Sequence, residues 1–141
     1  MKRPFAPPAR LSPNLTRVRD YWSSLLRGGA TMPFWDDVKL SDLPDLSDRL
    51  LLIDVFEQPE RFRLNAIGAG LGGEALAGLF IDQTELGHPF AYLRAQCAAT
   101  VEASAPTYHR CETPDPAYGR LLLPMWGQGR IGMLLGAVDF D

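Results

Sequence analysis

The chain is poor in the residues on which most site chemistry is built. It holds two histidines and two cysteines in 141 residues. Cys97 and Cys111 form no Cys-x-x-Cys pair, so neither a zinc ribbon nor a thioredoxin-type redox pair is written into it. No apolar run reaches the roughly 18 residues that span a bilayer. The basic start has no apolar stretch behind it, because Pro4, Pro7, Pro8 and Pro13 interrupt it; a signal peptide is not expected. Together these absences predict a cytoplasmic protein with reduced thiols. Dense Lys/Arg clusters are missing too. Residues 1–30 carry six cations against Asp20, net +5, and leave −8 for the rest. Spread this thinly, the cations read as a solvated helix face and tail, not as a nucleic-acid arm. There is no Gly-x-Ser-x-Gly elbow and no recognisable Ser, His and Asp arrangement for nucleophilic catalysis. Asp36, Asp37, Asp42, Asp45 and Asp48 lack the glycine and terminal glutamate of a calcium loop, and read as surface and caps.

What is present fits one domain with a sizeable core. Residues 1–11 are Pro-rich and are expected to be a disordered tail, followed by a single domain over 12–141. Ser12-Pro13 is a helix start, and the spacing predicts a helix over 12–28, with Leu15, Val18, Trp22 and Leu25 on one face. Gly28-Gly29 would end it. A core over 50–141 follows: strands at 50–56 and 62–67, a longer helix from His88-Pro89 to about Ser104, and a third strand at 107–112. The closing hairpin runs Tyr118-Gly119-Arg120-Leu121-Leu122-Leu123-Pro124-Met125-Trp126, turns at Gly127-Gln128-Gly129-Arg130, and returns through Val138. Helices bracketed by two groups of antiparallel strands make an α+β fold with one sheet.

Several blocks carry a resemblance. Tyr21-Trp22 runs into Leu26-Arg27-Gly28-Gly29 and Met32-Pro33. Asp42-Leu43-Pro44 precedes Leu50-Leu51-Leu52-Ile53-Asp54-Val55. Phe62-Arg63-Leu64 leads to Gly68, and Leu121-Leu122-Leu123-Pro124 and Leu134-Leu135-Gly136 close the series. In this order, over about residues 15–137, they resemble a bacterial PAS-like domain family. The resemblance implies a five-stranded antiparallel sheet with crossover helices on one face and an extra N-terminal helix. It also implies a sensor or interaction fold, with no catalytic residues to carry over. The family's Phe-Gly-x-Asp-Leu-Thr-Gly crossover segment survives only as a trace in Leu79-Phe80-Ile81-Asp82-Gln83-Thr84.

Each candidate for chemistry has a plainer counterpart. His88 and His109 could be haem or metal ligands, but two isolated histidines with no supporting motif read as surface residues. Cys97 lies in Arg94-Ala95-Gln96-Cys97-Ala98-Ala99, which is not the Asn-Cys-Arg-Phe-Leu-Gln run of a flavin-adduct cysteine; a core thiol is the better reading. Gly68-x-Gly70-x-x-Gly73 matches the letters of a dinucleotide loop but lacks the parallel βαβ unit. Tyr108, Met125, Trp126, Met133 and Cys97 are the residues that a small apolar pocket would use, and equally those of a filled core. Val18, Trp22 and Leu25 must pack on this chain's own sheet or on another copy, and contact to a second copy or a partner is the expectation.

The expectation is therefore a single-domain PAS-like sensory protein of bacterial signal transduction, with no cofactor indicated by motif. It would work by binding a small apolar ligand or a protein, not by catalysis. No output module is expected after the hairpin, so the chain would act in trans, as a homodimer or on a signalling protein such as a histidine kinase. The alternatives are an enzyme with a small-molecule pocket and a ligand-free adaptor.

Overall fold

Strand β1 (Leu50–Phe56) lies between β2 (Arg61–Ile67) and β5 (Arg130–Phe140), and β4 (Tyr118–Gly127) lies between β5 and β3 (Thr107–Cys111). The sheet order is β2-β1-β5-β4-β3, antiparallel throughout. This computed structural model describes residues 5–113 and 115–141. The α+β reading and the five antiparallel strands are as the sequence predicts. The hairpin turn is tight because Gln128 (φ +54°) and Gly129 (φ +76°) both take left-handed backbone, the twist that two-residue hairpin loops need.

Two helices cover opposite faces of the sheet. Helix α1 (Pro13–Ser24) starts where Ser12 accepts a hydrogen bond from the Leu15 N–H, and Ser12 also bonds Asp139. It is shorter than the span 12–28, because the chain leaves helical geometry at Leu25. Its apolar stripe does not face outward. Val18 and Trp22 are buried, Leu25 packs against the same core, and the Trp22 indole N–H donates to the Pro124 carbonyl at 2.9 Å. The expected partner stripe Val18–Trp22–Leu25 is thus corrected: this chain's own sheet covers it. The expected free tail is also corrected in part. Leu11 is buried, and the Phe5 carbonyl accepts from the Tyr108 N–H at 2.8 Å, so the described tail is tied to β3 at Phe5 and to the core at Leu11. Residues 1–4 of that tail lie outside the described residues.

Helix α2 (Leu93–Ala103) crosses the other face. Leu93, Gln96, Cys97 and Thr100 are its buried positions, an i, i+3, i+4, i+7 stripe. It begins five residues later than the His88-Pro89 start. Tyr92 takes left-handed backbone (φ +59°), which no helix interior tolerates, so the segment 86–92 is a turn. The region 35–49, with its aspartates, forms short 3-10 turns only.

The glycine-rich segment after β2 is two 3-10 turns, at Ala69–Leu71 and Gly73–Ala75, not the N-terminus of a long helix. Gly68 is needed for close approach: a Cβ there would stand 2.4 Å from the Asp48 carbonyl carbon and the Ser47 carbonyl oxygen. Those are backbone atoms and cannot swing away. Gly68→Ala is expected to lower the unfolding free energy by about 1–3 kcal/mol, the usual cost of overpacking. Gly29→Ala, with nothing within 4 Å of the added carbon, should change it little. Urea unfolding of the two variants checks the contrast.

Candidate functional site

The most unusual side chain in the core is Arg120. It is the third residue of β4, directly before three leucines, and is 0% exposed. Its register partners are His109 on β3 and Val138 on β5. Neighbouring Asp139 takes bonds from α1's cap region, so Val138, Arg120 and His109 point to the α2 face. The guanidinium is held there by three neutral acceptors. Its Nε–H donates to Gln96 Oε1 at 2.7 Å, Nη1 to the Pro89 carbonyl at 2.9 Å, and Nη2 to the Ala91 carbonyl at 2.8 Å.

This arrangement ties three elements together. Gln96 Nε2 donates to Thr107 Oγ1 at 3.1 Å and to the Arg120 carbonyl at 3.2 Å. The hydroxyls of Thr100 and Thr107 are 2.6 Å apart, and Thr100 also donates to the Gln96 carbonyl at 2.8 Å. The Pro89 and Ala91 carbonyls explain why α2 starts late: the turn carries those two acceptors to the guanidinium instead of into a helical ladder.

Among the described residues Arg120 has no counter-charge. The ion pairs among the described residues belong to Arg17, Arg27, Arg61, Arg63 and Arg110. Burial pushes the Arg120 guanidinium below its ordinary pKa. Around it lie two buried polar atoms with no hydrogen-bond partner among the described residues, Tyr118 Oη and His109 Nε2. The His88 ring stands edge-on to Tyr118 at 4.8 Å, and the Tyr92 ring edge-on to His109 at 5.7 Å. Segment 86–92 therefore forms a roof over Arg120, Tyr118 and His109.

Burial, and then the neighbouring Arg120 charge, hold the His109 imidazole below its ordinary pKa of 6.5. The unfolded chain therefore takes up the proton first as pH falls. The stability contributed by neutral His109 is complete above about pH 6.5 and declines below it, levelling once the folded form also protonates. His109→Gln should flatten that acid-side slope in a pH series of urea unfolding.

The five residues expected to line a pocket do not converge. Cys97 lies on α2, on the Arg120 side. Tyr108, by contrast, shares the α1 face with Gly119, whose added Cβ would meet the Tyr108 hydroxyl at 2.5 Å and its ring at 2.9 Å. Met125 and Met133 are register partners on that same α1 face. They and Cys97 are buried in a packed core. Trp126 follows a bulge between Met125 and Trp126 and is 43% exposed. It lines a surface groove of about 430 Å³ with Met32, Phe34 and Arg27. A second cleft, of about 340 Å³, lies between Phe5–Pro7 and the end of α2.

Burial pushes the Cys97 thiol up to about 12, so it is not a nucleophile at neutral pH. Cys111 is partly exposed and donates to the Thr113 carbonyl at 2.9 Å. One thiol, Cys111, is expected to react with a maleimide in the native protein and both in denaturant, as read by mass. Among the described residues no three His, Cys, Asp or Glu side chains stand together as a metal set. No helix among the described residues is long and apolar enough to cross a membrane.

Sequence reading missed Arg120 and Gln96. The signals were there: an arginine inside an otherwise apolar ten-residue strand, and a glutamine on the apolar stripe of α2. A residue of that kind in a buried strand demands a partner across the core. No family model, curated protein or solved structure matches the chain.

Proposed function

We propose that this chain is a PAS-like sensory or regulatory protein that works by binding, not catalysis, with a signalling protein such as a histidine kinase as its partner. The observation that carries the reading is the buried, uncompensated Arg120 between α2 and the sheet, bonded to the carbonyls of a turn. Such a centre has two satisfied states: the guanidinium bonded to the turn, or to a ligand. A ligand that favours the second state shifts α2 and the 86–92 segment by its differential affinity. The order β5-β4-β3, with a helical crossover between β2 and β3, supports the PAS-like resemblance.

A ligand-free adaptor is the second reading, favoured by the exposed aromatic side chains Phe34, Trp35 and Trp126. Native mass spectrometry beside the denatured mass separates the two. A small mass released on denaturation supports the sensor. Bare chains supports the adaptor, provided that α2 and the 86–92 segment show no ligand-dependent change in hydrogen exchange.

A further inference from the structure

We propose that Arg120, Tyr118 Oη and His109 Nε2 form a recognition site for a small monocarboxylate, whose binding displaces the Pro89 and Ala91 carbonyls and opens the 86–92 roof. This rests on the reading of the α2–sheet interface as the sensing centre. It goes further by assigning the ligand's chemistry.

The three groups project together. Arg120 and His109 are directly paired across β4 and β3, which sets their Cβ atoms roughly 5 Å apart on one face. Tyr118 lies two residues before Arg120, on the same face. Each has unused capacity. Arg120 has five N–H groups, and the described residues take up three of them. His109 Nε2 has no partner there, and the Tyr118 hydroxyl, which stands near the Arg120 guanidinium, Cys111 and the Ala91 backbone, makes no well-formed bond to any of them. A buried hydroxyl without an acceptor is rare in a folded core, and here it stands beside a cation without an anion.

The chemistry selects a carboxylate. A planar carboxylate accepts two guanidinium N–H bonds in parallel, and such charge-assisted bonds are stronger than those to neutral carbonyls. Its third and fourth lone-pair sites suit the phenol and the imidazole N–H. One negative charge matches one buried positive charge. A phosphate dianion would leave a second charge buried with no cation to meet it, since Arg110, the next basic residue on β3, points to the other face and is occupied by Glu112 and Asp141. Phe90, Leu93 and Cys97 make the surroundings apolar, which suits a short hydrocarbon tail.

The roof is built to move. Tyr92 is held in left-handed backbone and is 71% exposed, and the Ala91 carbonyl before it is fixed by Arg120. Once the guanidinium turns to a carboxylate, that tie and the one at Pro89 are released together.

The test is calorimetric titration of the full chain with sodium acetate and sodium benzoate at constant ionic strength, with sodium chloride and inorganic phosphate as controls, followed by hydrogen exchange at saturation. Saturable binding of a carboxylate is expected, with faster exchange over 86–92. Tyr118→Phe should weaken it about tenfold, the loss of one hydrogen bond to a charged group. Arg120→Met should abolish it. Absence of saturable binding by either carboxylate overturns the proposal, as does equal binding by folded Arg120→Met, or a preference for phosphate. If carboxylates fail but native mass spectrometry shows another bound molecule, the sensor reading stands and only the ligand class falls.

Discussion

Trp22→Ala is expected to lower the unfolding free energy by about 3–5 kcal/mol, the range for removing a large buried aromatic side chain. Trp22 is 5% exposed and is wedged between α1 and the sheet. Two losses combine. The cavity forfeits the packing of the indole, and the Pro124 carbonyl loses its 2.9 Å donor. That carbonyl matters because Pro124 already interrupts the β4 ladder on its N–H side. Trp22→Phe keeps much of the apolar surface and loses the bond, so it should cost about 1–3 kcal/mol. Were Trp22 a partner contact, Trp22→Ala would instead alter the native mass of the assembly and leave the monomer's unfolding unchanged. Urea unfolding and native mass spectrometry on the same variant distinguish these outcomes.

Arg120 separates charge from volume. Arg120→Ala opens a void under α2 and strips the donor from Gln96 Oε1 and two carbonyls. A loss of about 2–5 kcal/mol is expected. Arg120→Met fills most of the space and removes a desolvated charge that has no anion. Replacing buried ionic groups with apolar ones of similar volume is often neutral or stabilising. The substitution still leaves Gln96 Oε1 and the Pro89 carbonyl, both buried, without their donor, while Ala91 is only partly buried. Arg120→Met should therefore cost about 1–3 kcal/mol, less than Arg120→Ala. A fully satisfied, purely structural Arg120 would make the two variants comparably unstable, and urea unfolding of both checks this.

Much of the architecture was legible because it is local. Ser12-Pro13 specifies the start of α1, the alternation Phe62, Leu64 against Arg63, Asn65 specifies the faces of β2, and the glycine turn specifies the hairpin. The buried positions of Phe62 and Leu64, and the bonds from Arg63 and Asn65 to Asp54, follow that alternation. What stayed hidden is long-range. The late start of α2 depends on Arg120, about 30 residues downstream. Tyr108, Met125 and Cys97 look like one apolar set in the sequence. Strand register puts the first two on one face of the sheet and a helix puts the third on the other. Trp126 is turned outward by a bulge that no residue pattern announces. The orphaned Tyr118 hydroxyl exists only because three strands and a turn meet around it.

Arg120 latches the 86–92 segment over the α2 face through the Pro89 and Ala91 carbonyls. Hydrogen exchange followed by mass spectrometry, on the parent protein and Arg120→Met under native conditions, tests that latch. Faster exchange is expected, confined to 86–92 and the first turn of α2, with β1, β4 and β5 unchanged. Identical exchange in the two proteins, or loosening spread evenly over the sheet, would contradict it.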